Sequence, residues 1–404
     1  MSHQVGPIKN FVLGIYDGPH ATPKESEEGP VFLGIKNVTS QGSLDLNGIR
    51  HISEQDYPKW TKRVVPREND IVFSYEATLH RYALIPKEFR CCLGRRMGLV
   101  RPDPTKVNPR YLYYYFLTSS WRRVVESNVI SGATVDRIPL SRFPEFEVSI
   151  PSLPIQQQIA SILSAYDDLI ENNRRRIQLL EESARLLYKE WFVHLRFPGH
   201  EHVKIIDSVP EGWLVGTIGD FFDINSGGTP SRKHPEFFEG KINWVKTQEL
   251  NEDFIFNSEE KITETALKKS SATLFPANTI LVSIYGGTNI GRTGIVAVPS
   301  ASNQACVALF PRHKSANFIY AQLFIQHTRE FLIGIAQGAA QTNISQQTLR
   351  KIPMTMPPES VMGNFLGICS PIYEQFRNLN QTNNSLAKAR DLLLPRLMNG
   401  DIAI

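Results

Sequence analysis

The chain repeats itself, and that constrains its fold more than any other feature. Six short segments of the first half recur in the second, in the same order, at offsets of 206 to 210 residues. Asp17-Gly18-Pro19-His20-Ala21-Thr22-Pro23 parallels Ser226-Gly227-Gly228-Thr229-Pro230, and Phe32-Leu33-Gly34-Ile35-Lys36 parallels Ile242-Asn243-Trp244-Val245-Lys246. His51 to Glu54 parallels Lys261 to Glu264, and Asp70 to Ser74 parallels Thr279 to Ser283. Ser131 to Thr134 parallels Gly338 to Gln341, and Ser149 to Pro151 parallels Thr355 to Pro357. A period this long describes a duplicated domain rather than a solenoid of short units.

Each copy has two parts. The first mixes short β-branched and aromatic runs, such as Asp70–Tyr75 and Thr279–Tyr285, with helix-like stretches, Pro109–Glu126 and Asn317–Ile335. The second is one long helix. Ile159, Leu163, Tyr166, Ile170, Asn173, Ile177, Leu180, Ala184, Leu187 and Trp191 are spaced alternately by four and three residues, which is a heptad seam. Pro154 sits near its start and Pro198 past its end. In the second copy the same spacing runs through Val361, Phe365, Ile368, Ile372, Gln375, Leu379, Thr382, Leu386, Ala389 and Leu393, with Pro371 expected to kink this helix or delay its start.

Such a seam can pack on its own globular part or on another helix. Residues 155 to 193 would extend roughly 58 Å as a helix, more than the width of a domain of about 150 residues. Packing of the two long helices on each other, antiparallel, is therefore the expectation. It would give a rod with a globular part at each end. The fold class is α+β: two mixed α/β domains, 1–152 and 199–357, joined by long coiled-coil helices at 153–198 and 358–404, with pseudo-twofold symmetry.

Composition fits a soluble globular chain, with 41% hydrophobic and 21% charged residues. No signal peptide is visible in Met1 to Asn10, and no apolar run is long enough to span a membrane. Cys91, Cys92, Cys306 and Cys369 follow no metal-ligand spacing and read as reduced thiols in a cytoplasmic protein. The net charge of +4 falls entirely in residues 1–200.

A search for catalytic groups finds two tempting motifs. Asn108-Pro109-Arg110-Tyr111 resembles the Asn/Asp-Pro-Pro-Tyr signature of amino-methyltransferases, but Arg110 replaces the second proline and no glycine-rich donor loop stands nearby. A helix N-terminus with Pro109 in its first turn explains it. Gly286-Gly287-Thr288-Asn289-Ile290-Gly291-Arg292-Thr293 has P-loop spacing, yet Arg292 stands where lysine is needed and a strand ended by Pro299 follows instead of a helix. A hairpin loop is the better reading. His194, His200 and His202 lack any supporting metal ligand, and Arg174-Arg175-Arg176 reads as a solvated helix face.

Ile150-Pro151-Ser152-Leu153-Pro154-Ile155-Gln156-Gln157-Gln158-Ile159-Ala160, continuing to Asn173, resembles the central region of type I restriction–modification specificity subunits. Leu186 to Val193, Val209-Pro210-Glu211-Gly212-Trp213, Gly227-Gly228-Thr229-Pro230 and Arg390 to Ile402 resemble further parts of that family, so the likeness covers nearly the whole chain. It departs in the first copy, which begins almost at once without the Pro-Glu-Gly-Trp segment. The leading strand there is expected to be shortened or differently paired.

The resemblance implies a non-catalytic, DNA-binding subunit with two target-recognition domains that read a bipartite asymmetric sequence. It implies two methyltransferase subunits and restriction/translocase subunits as partners, with S-adenosylmethionine, ATP and Mg on those partners and no cofactor here. A specificity subunit of a fused methyltransferase–nuclease, and a coiled-coil scaffold that binds no DNA, are the alternatives. Base readout needs Arg, Asn, Gln, Ser or Thr on loops. The candidates are Ser74, His80, Arg81, Arg95, Arg96, Thr134 and Arg137 in the first domain, and Lys246, Ser283, Thr288, Asn289, Arg292, Asn303, Gln304, Gln341 and Asn343 in the second.

Overall fold

The computed structural model describes residues 3–46, 48–132, 135–337 and 343–402. The chain divides into two units, Met1–Ile170 with Ser385–Ile404, and Glu171–Asn384. Each unit contains one globular part and a portion of both long helices, Leu153–Tyr188 and Glu359–Met398.

In the first unit, strands Val12–Asp17, Met97–Pro102, Ile71–Ser74 and Tyr82–Leu84 form an antiparallel sheet in that order. Ile71–Ser74 is buried along its whole length, which is why its sequence is a continuous apolar run rather than an alternation. A second sheet has Ser26–Leu33 between Arg50–His51 and Cys91–Leu93, the latter pair parallel. Cys91 and Cys92 point to opposite faces, as neighbours on a strand must. Cys91 packs with Val31 and Leu33, and Cys92 with Phe32 and Trp60. Helices Pro109–Phe116 and Ser119–Glu126 start on Asn108 and Thr118, whose side chains accept the amides of Tyr111 and Trp121. Asn108-Pro109 is thus a helix cap with proline at the first helical position.

The second unit repeats this plan with one strand added to the main sheet. Phe222–Ser226, Cys306–Pro311, Ile280–Ser283 and Thr293–Val296 form the main sheet, extended by the parallel strand Phe254–Ile255. Ile242–Val245 lies between Glu260–Ile262 and Ser300–Ser302. The helices Phe318–His327 and Arg329–Gln337 follow, the first capped by Asn317. Leu214–Thr217 pairs antiparallel with Pro353–Met356, as His3–Pro7 pairs with Glu147–Pro151. The first copy therefore has its leading strand at full length and in the equivalent pairing. Pro-Glu-Gly-Trp is a device of the second copy, and the strand does not depend on it.

The central helix buries the seam read from its spacing: Ile159, Leu163, Ile170, Asn173, Ile177, Ala184 and Trp191 are buried, with Tyr166, Leu180 and Leu187 half-buried. It ends in a π-helical turn, Lys189–Val193. Tyr188, Trp191 and Phe192, at i, i+3 and i+4, all pack inward there.

The C-terminal helix departs from the expected seam. Phe365 is buried and Ile372, Leu379, Leu386 and Leu393 are half-buried, but Ile368, Gln375 and Thr382 are exposed, while Met362, Cys369, Tyr373, Phe376 and Leu397 are buried. The helix keeps the alternating three- and four-residue spacing but in a different frame: Met362, Cys369, Phe376, Asn383, Arg390 and Leu397 stand beside the Phe365 row where Val361, Ile368, Gln375, Thr382 and Ala389 were expected. Pro371 does not delay the helix, which runs without interruption from Glu359. Pro371 and Gly367 are both exposed, so the carbonyl that loses its amide partner remains open to water.

Within each unit the two long helices run antiparallel. In the first, Arg390 Nη1 meets Asp167 Oδ1 at 2.5 Å, and Tyr114 donates to the other oxygen of Asp167. In the second, Asn173 Nδ2 donates to Asn383 Oδ1 at 2.9 Å, and Trp191 lies 5.8 Å from Phe365, ring to ring.

The second unit also half-buries two carboxyls. Burial pushes Glu181 up to about 7, with Asp253 and Glu252 adding to the shift and Arg185 opposing it. Burial likewise raises Asp253 to about 7. Both sit above their ordinary range, so the folded chain holds these protons more tightly than the unfolded chain. Their stabilisation is full below the unfolded carboxylate range and is lost as pH rises through about 7. Thermal melts are expected to fall between pH 5 and pH 8, and Glu181→Gln should flatten that fall.

Candidate nucleic-acid interface

One edge of the main sheet collects the loops in each unit. In the first, Tyr75 N bonds Arg96 O at 3.1 Å and Ile138 N bonds Tyr75 O at 2.7 Å. In the second, Ile284 N bonds Ala305 O at 3.0 Å and Ile344 N bonds Ile284 O at 3.0 Å. The same three segments therefore meet in both: a hairpin loop, a tight turn before the next strand, and the segment after the two short helices. The hairpins also close alike, Ser74 N on Arg81 O at 3.0 Å and Ser283 N on Arg292 O at 2.9 Å. Arg81 and Arg292 are thus structural equivalents.

The loops differ in chemistry. Gly286, Gly287 and Gly291 take φ of 93°, 58° and 74°, the left-handed region that favours glycine. The first domain puts Ala77, His80 and Arg96 in that region, at 71°, 60° and 70°. It accepts that strain and gains side chains in return. Gly287–Asn289 is a single 3₁₀ turn leading to the strand Thr293–Val296, so the P-loop spacing has no phosphate-binding helix behind it.

Many candidates are engaged within the protein. Ser74 is buried and donates to Thr78 O, and Ser283 is buried and donates to Tyr285 O at 3.1 Å. Arg81 Nη1 donates to Val38 O at 2.9 Å. Lys246 Nζ lies 2.7 Å from Glu259 and 3.0 Å from Glu260, and these hydrogen bonds raise its pKa. Arg96 pairs with Glu76 at 2.9 Å. His80, half-buried near Glu126, has its pKa lowered by burial and then by Arg122. Asn303 Oδ1 accepts from Ala305 N, and Asn343 Oδ1 from Gly286 N, each at 3.2 Å.

Arg95, Arg137 and Gln304 are exposed on these loops, and Asn289 and Arg292 are half-buried. Thr134 and Gln341 lie outside the described residues, as does the side chain of Thr288.

The structure adds residues that the motif reading passed over. Asp17 holds Arg63 at 2.5 Å and His20 at 3.3 Å at the same sheet edge. The His20 ring meets Tyr75 edge-on at 6.4 Å. The Tyr75 hydroxyl is buried without a partner among the described residues, and burial, then Asp17 and Glu76, push it up to about 12. In the second unit Thr229 donates to Gln304. Asp17, His20 and Thr229 all belong to the first of the six repeated segments. That recurrence was the one signal in the sequence that could have drawn attention to them.

Because the Arg81 guanidinium is tied to a carbonyl and the Arg292 guanidinium has no hydrogen-bond or ion-pair partner among the described residues, their substitutions should part company. Arg292→Ala is expected to weaken specific DNA binding by roughly 1–3 kcal/mol and leave folding unchanged. Arg81→Ala should instead lower stability by about 1 kcal/mol. Fluorescence anisotropy and urea melts on both variants check this.

The structure is thus a duplicated α+β fold with two equivalent loop edges of differing chemistry. The chain matches the type I restriction modification DNA specificity domain twice, over residues 24–182 and 210–387, and belongs to that family. It is 26% identical over 365 residues to the type I restriction enzyme MjaIX specificity subunit of Methanocaldococcus jannaschii, covering 88% of this chain and 83% of that one. It is 24% identical over 443 residues to the HindI specificity subunit of Haemophilus influenzae, covering 92% and 94%. The crystal structure of the type I S subunit from M. genitalium shares the fold, with a TM-score of 0.57 at 16% identity over 98% of this chain and 96% of that one. The function of this chain is DNA target specificity in such a system.

Among the described residues no cluster of His, Cys, Asp or Glu could hold a metal ion, and no helix is long and apolar enough to cross a membrane.

Proposed function

We propose that this chain reads a bipartite, asymmetric DNA sequence, one half with each globular domain, and carries no chemistry of its own. The carrying observation is the paired loop edge: identical backbone bonding in the two units supports a shared role, and different side chains support different half-sites. In this reading the guanidiniums, amides and hydroxyls of the loops meet base edges and phosphates in the major groove. Two methyltransferase subunits bind the chain, and restriction/translocase subunits join them in the cytoplasm. S-adenosylmethionine, ATP and Mg belong to those partners.

The relatives are named as specificity subunits of type I restriction enzymes, which supports a division of labour between recognition and catalysis. Exposed Leu179 and Leu186, seven residues apart on the central helix, offer an apolar strip to a partner helix. The purified chain alone should transfer no methyl group, cut no DNA and hydrolyse no ATP. Addition of the methyltransferase subunit should give methylation at one two-part motif. Methylation by the lone chain, free of partner, would contradict the proposal.

A further inference from the structure

The tight turn before the last strand of the main sheet is closed by matching backbone bonds in both domains and carries different residues at its tip. In the first domain it is Gly94-Arg95-Arg96-Met97, closed by Met97 N on Gly94 O at 3.2 Å. In the second it is Asn303-Gln304-Ala305-Cys306, closed by Cys306 N on Asn303 O at 3.1 Å. Each turn is bonded to its hairpin loop through the third residue, Arg96 O to Tyr75 N and Ala305 O to Ile284 N. Arg95 and Gln304 therefore occupy matching places, and both are exposed.

Both turns are rigidly backed. A Cβ on Gly18 would lie 2.5 Å from the Gly94 carbonyl oxygen, and a Cβ on Gly227 would lie 2.3 Å from the Asn303 carbonyl oxygen. In each domain the loop after the first sheet strand thus rests directly on the turn. Arg96 takes the left-handed conformation, φ 70°, at the third place of its turn, where glycine is the usual residue. Non-glycine residues held in that region mark sites where the side chain is needed. The Glu76 carboxylate pairs with Arg96. Arg95 has no hydrogen-bond or ion-pair partner among the described residues, so its guanidinium is the free one at the tip. In the second domain the Thr229 hydroxyl donates to Gln304 Oε1. That bond fixes the amide and leaves Nε2 and the second lone pair of Oε1 for a partner.

We propose that this turn is the specificity-determining element of each domain, with Arg95 reading a guanine in one half-site and Gln304 reading an adenine in the other. The proposal rests on the DNA-reading role above and adds base identity to it. A guanidinium donates twice and matches the two acceptors of guanine, O6 and N7. A carboxamide donates once and accepts once, which matches N7 and the N6 amino group of adenine. A rigid turn presents one side chain per domain without the entropy loss of ordering a loop.

The test uses the full chain with its methyltransferase subunit in cells, and reads methylation motifs by sequencing. Arg95→Gln should change one guanine of one half-site to adenine and leave the other half-site intact. Gln304→Arg should make the reverse change in the other half-site only. If a variant methylates nowhere, Arg95→Ala and Gln304→Ala complexes are measured on duplexes carrying each base pair in turn. Loss of a preference on the order of ten- to a hundred-fold at a single position supports the proposal. Motifs that stay as in the parent, or a uniform loss of affinity at every position, overturn it. The broader reading survives both results, because it is tested separately, by whether the parent complex methylates a two-part motif at all.

Discussion

Leu163→Asp is expected to unfold the first unit. Leu163 is fully buried in a cluster that includes Ile159, Ala160 and Leu397, with Leu393 and Leu394 of the C-terminal helix packed against it. The new carboxylate would have no cation there and no water. Burying a charge in that state amounts to several kcal/mol, a large part of the 5–15 kcal/mol that holds a typical domain. Leu180→Asp should do less harm, because Leu180 is half-buried. Leu179→Asp, at a position 70% exposed, should stay within about 0.5 kcal/mol of the parent. Urea titrations of the three variants are expected to keep that order. A Leu163→Asp chain that melts like its parent would show that the two long helices are not packed as described.

Phe365→Ala is the second large effect, and it tests the seam itself. Phe365 is fully buried; its ring lies 4.7 Å from Phe192 and 5.8 Å from Trp191. Removing it leaves a cavity between the π-turn of the central helix and the C-terminal helix, with a loss of about 3–5 kcal/mol. Three residues on, Ile368 is 48% exposed. Ile368→Ala should change stability by less than about 0.5 kcal/mol. A seam running through both Phe365 and Ile368 would make the two losses comparable, so the ratio between them decides which face the helix buries.

That contrast shows where sequence reading stops. The repeat made the duplicated fold legible, because Asp70–Ser74 and Thr279–Ser283 fall on equivalent central strands. The central helix was legible because its apolar residues leave little choice of face. In the C-terminal helix Ile368, Ile372, Cys369 and Tyr373 offer two faces, and spacing alone selects the wrong one. Only the shape of the globular part decides that Tyr373 turns inward and Ile368 outward. The leading strand His3–Pro7 was expected shortened or differently paired, because its pairing depends on a partner some 140 residues away, Glu147–Pro151.

The loop site was half legible. Repeat position found loops at equivalent places in the two domains, since backbone bonding is shared. It could not tell a side chain spent on its own protein from a free one. Ser74, Ser283, Arg81 and Lys246 are bound to carbonyls or carboxylates brought close only by folding. Arg95, Gln304 and Arg292 keep groups to offer, and nothing in their neighbouring residues announces the difference. Glu181 and Asp253 make the same point. Their protons are held by burial against distant elements, which no local pattern records.

The central claim is that two unlike domains of one chain read the two halves of one DNA target. Methylome sequencing of the host with the gene present and deleted tests it most directly. The account predicts a single two-part motif, with different sequences on either side of an unspecified spacer, that loses methylation when the gene is removed. A motif that persists without the gene, or one that is continuous or palindromic, would contradict it.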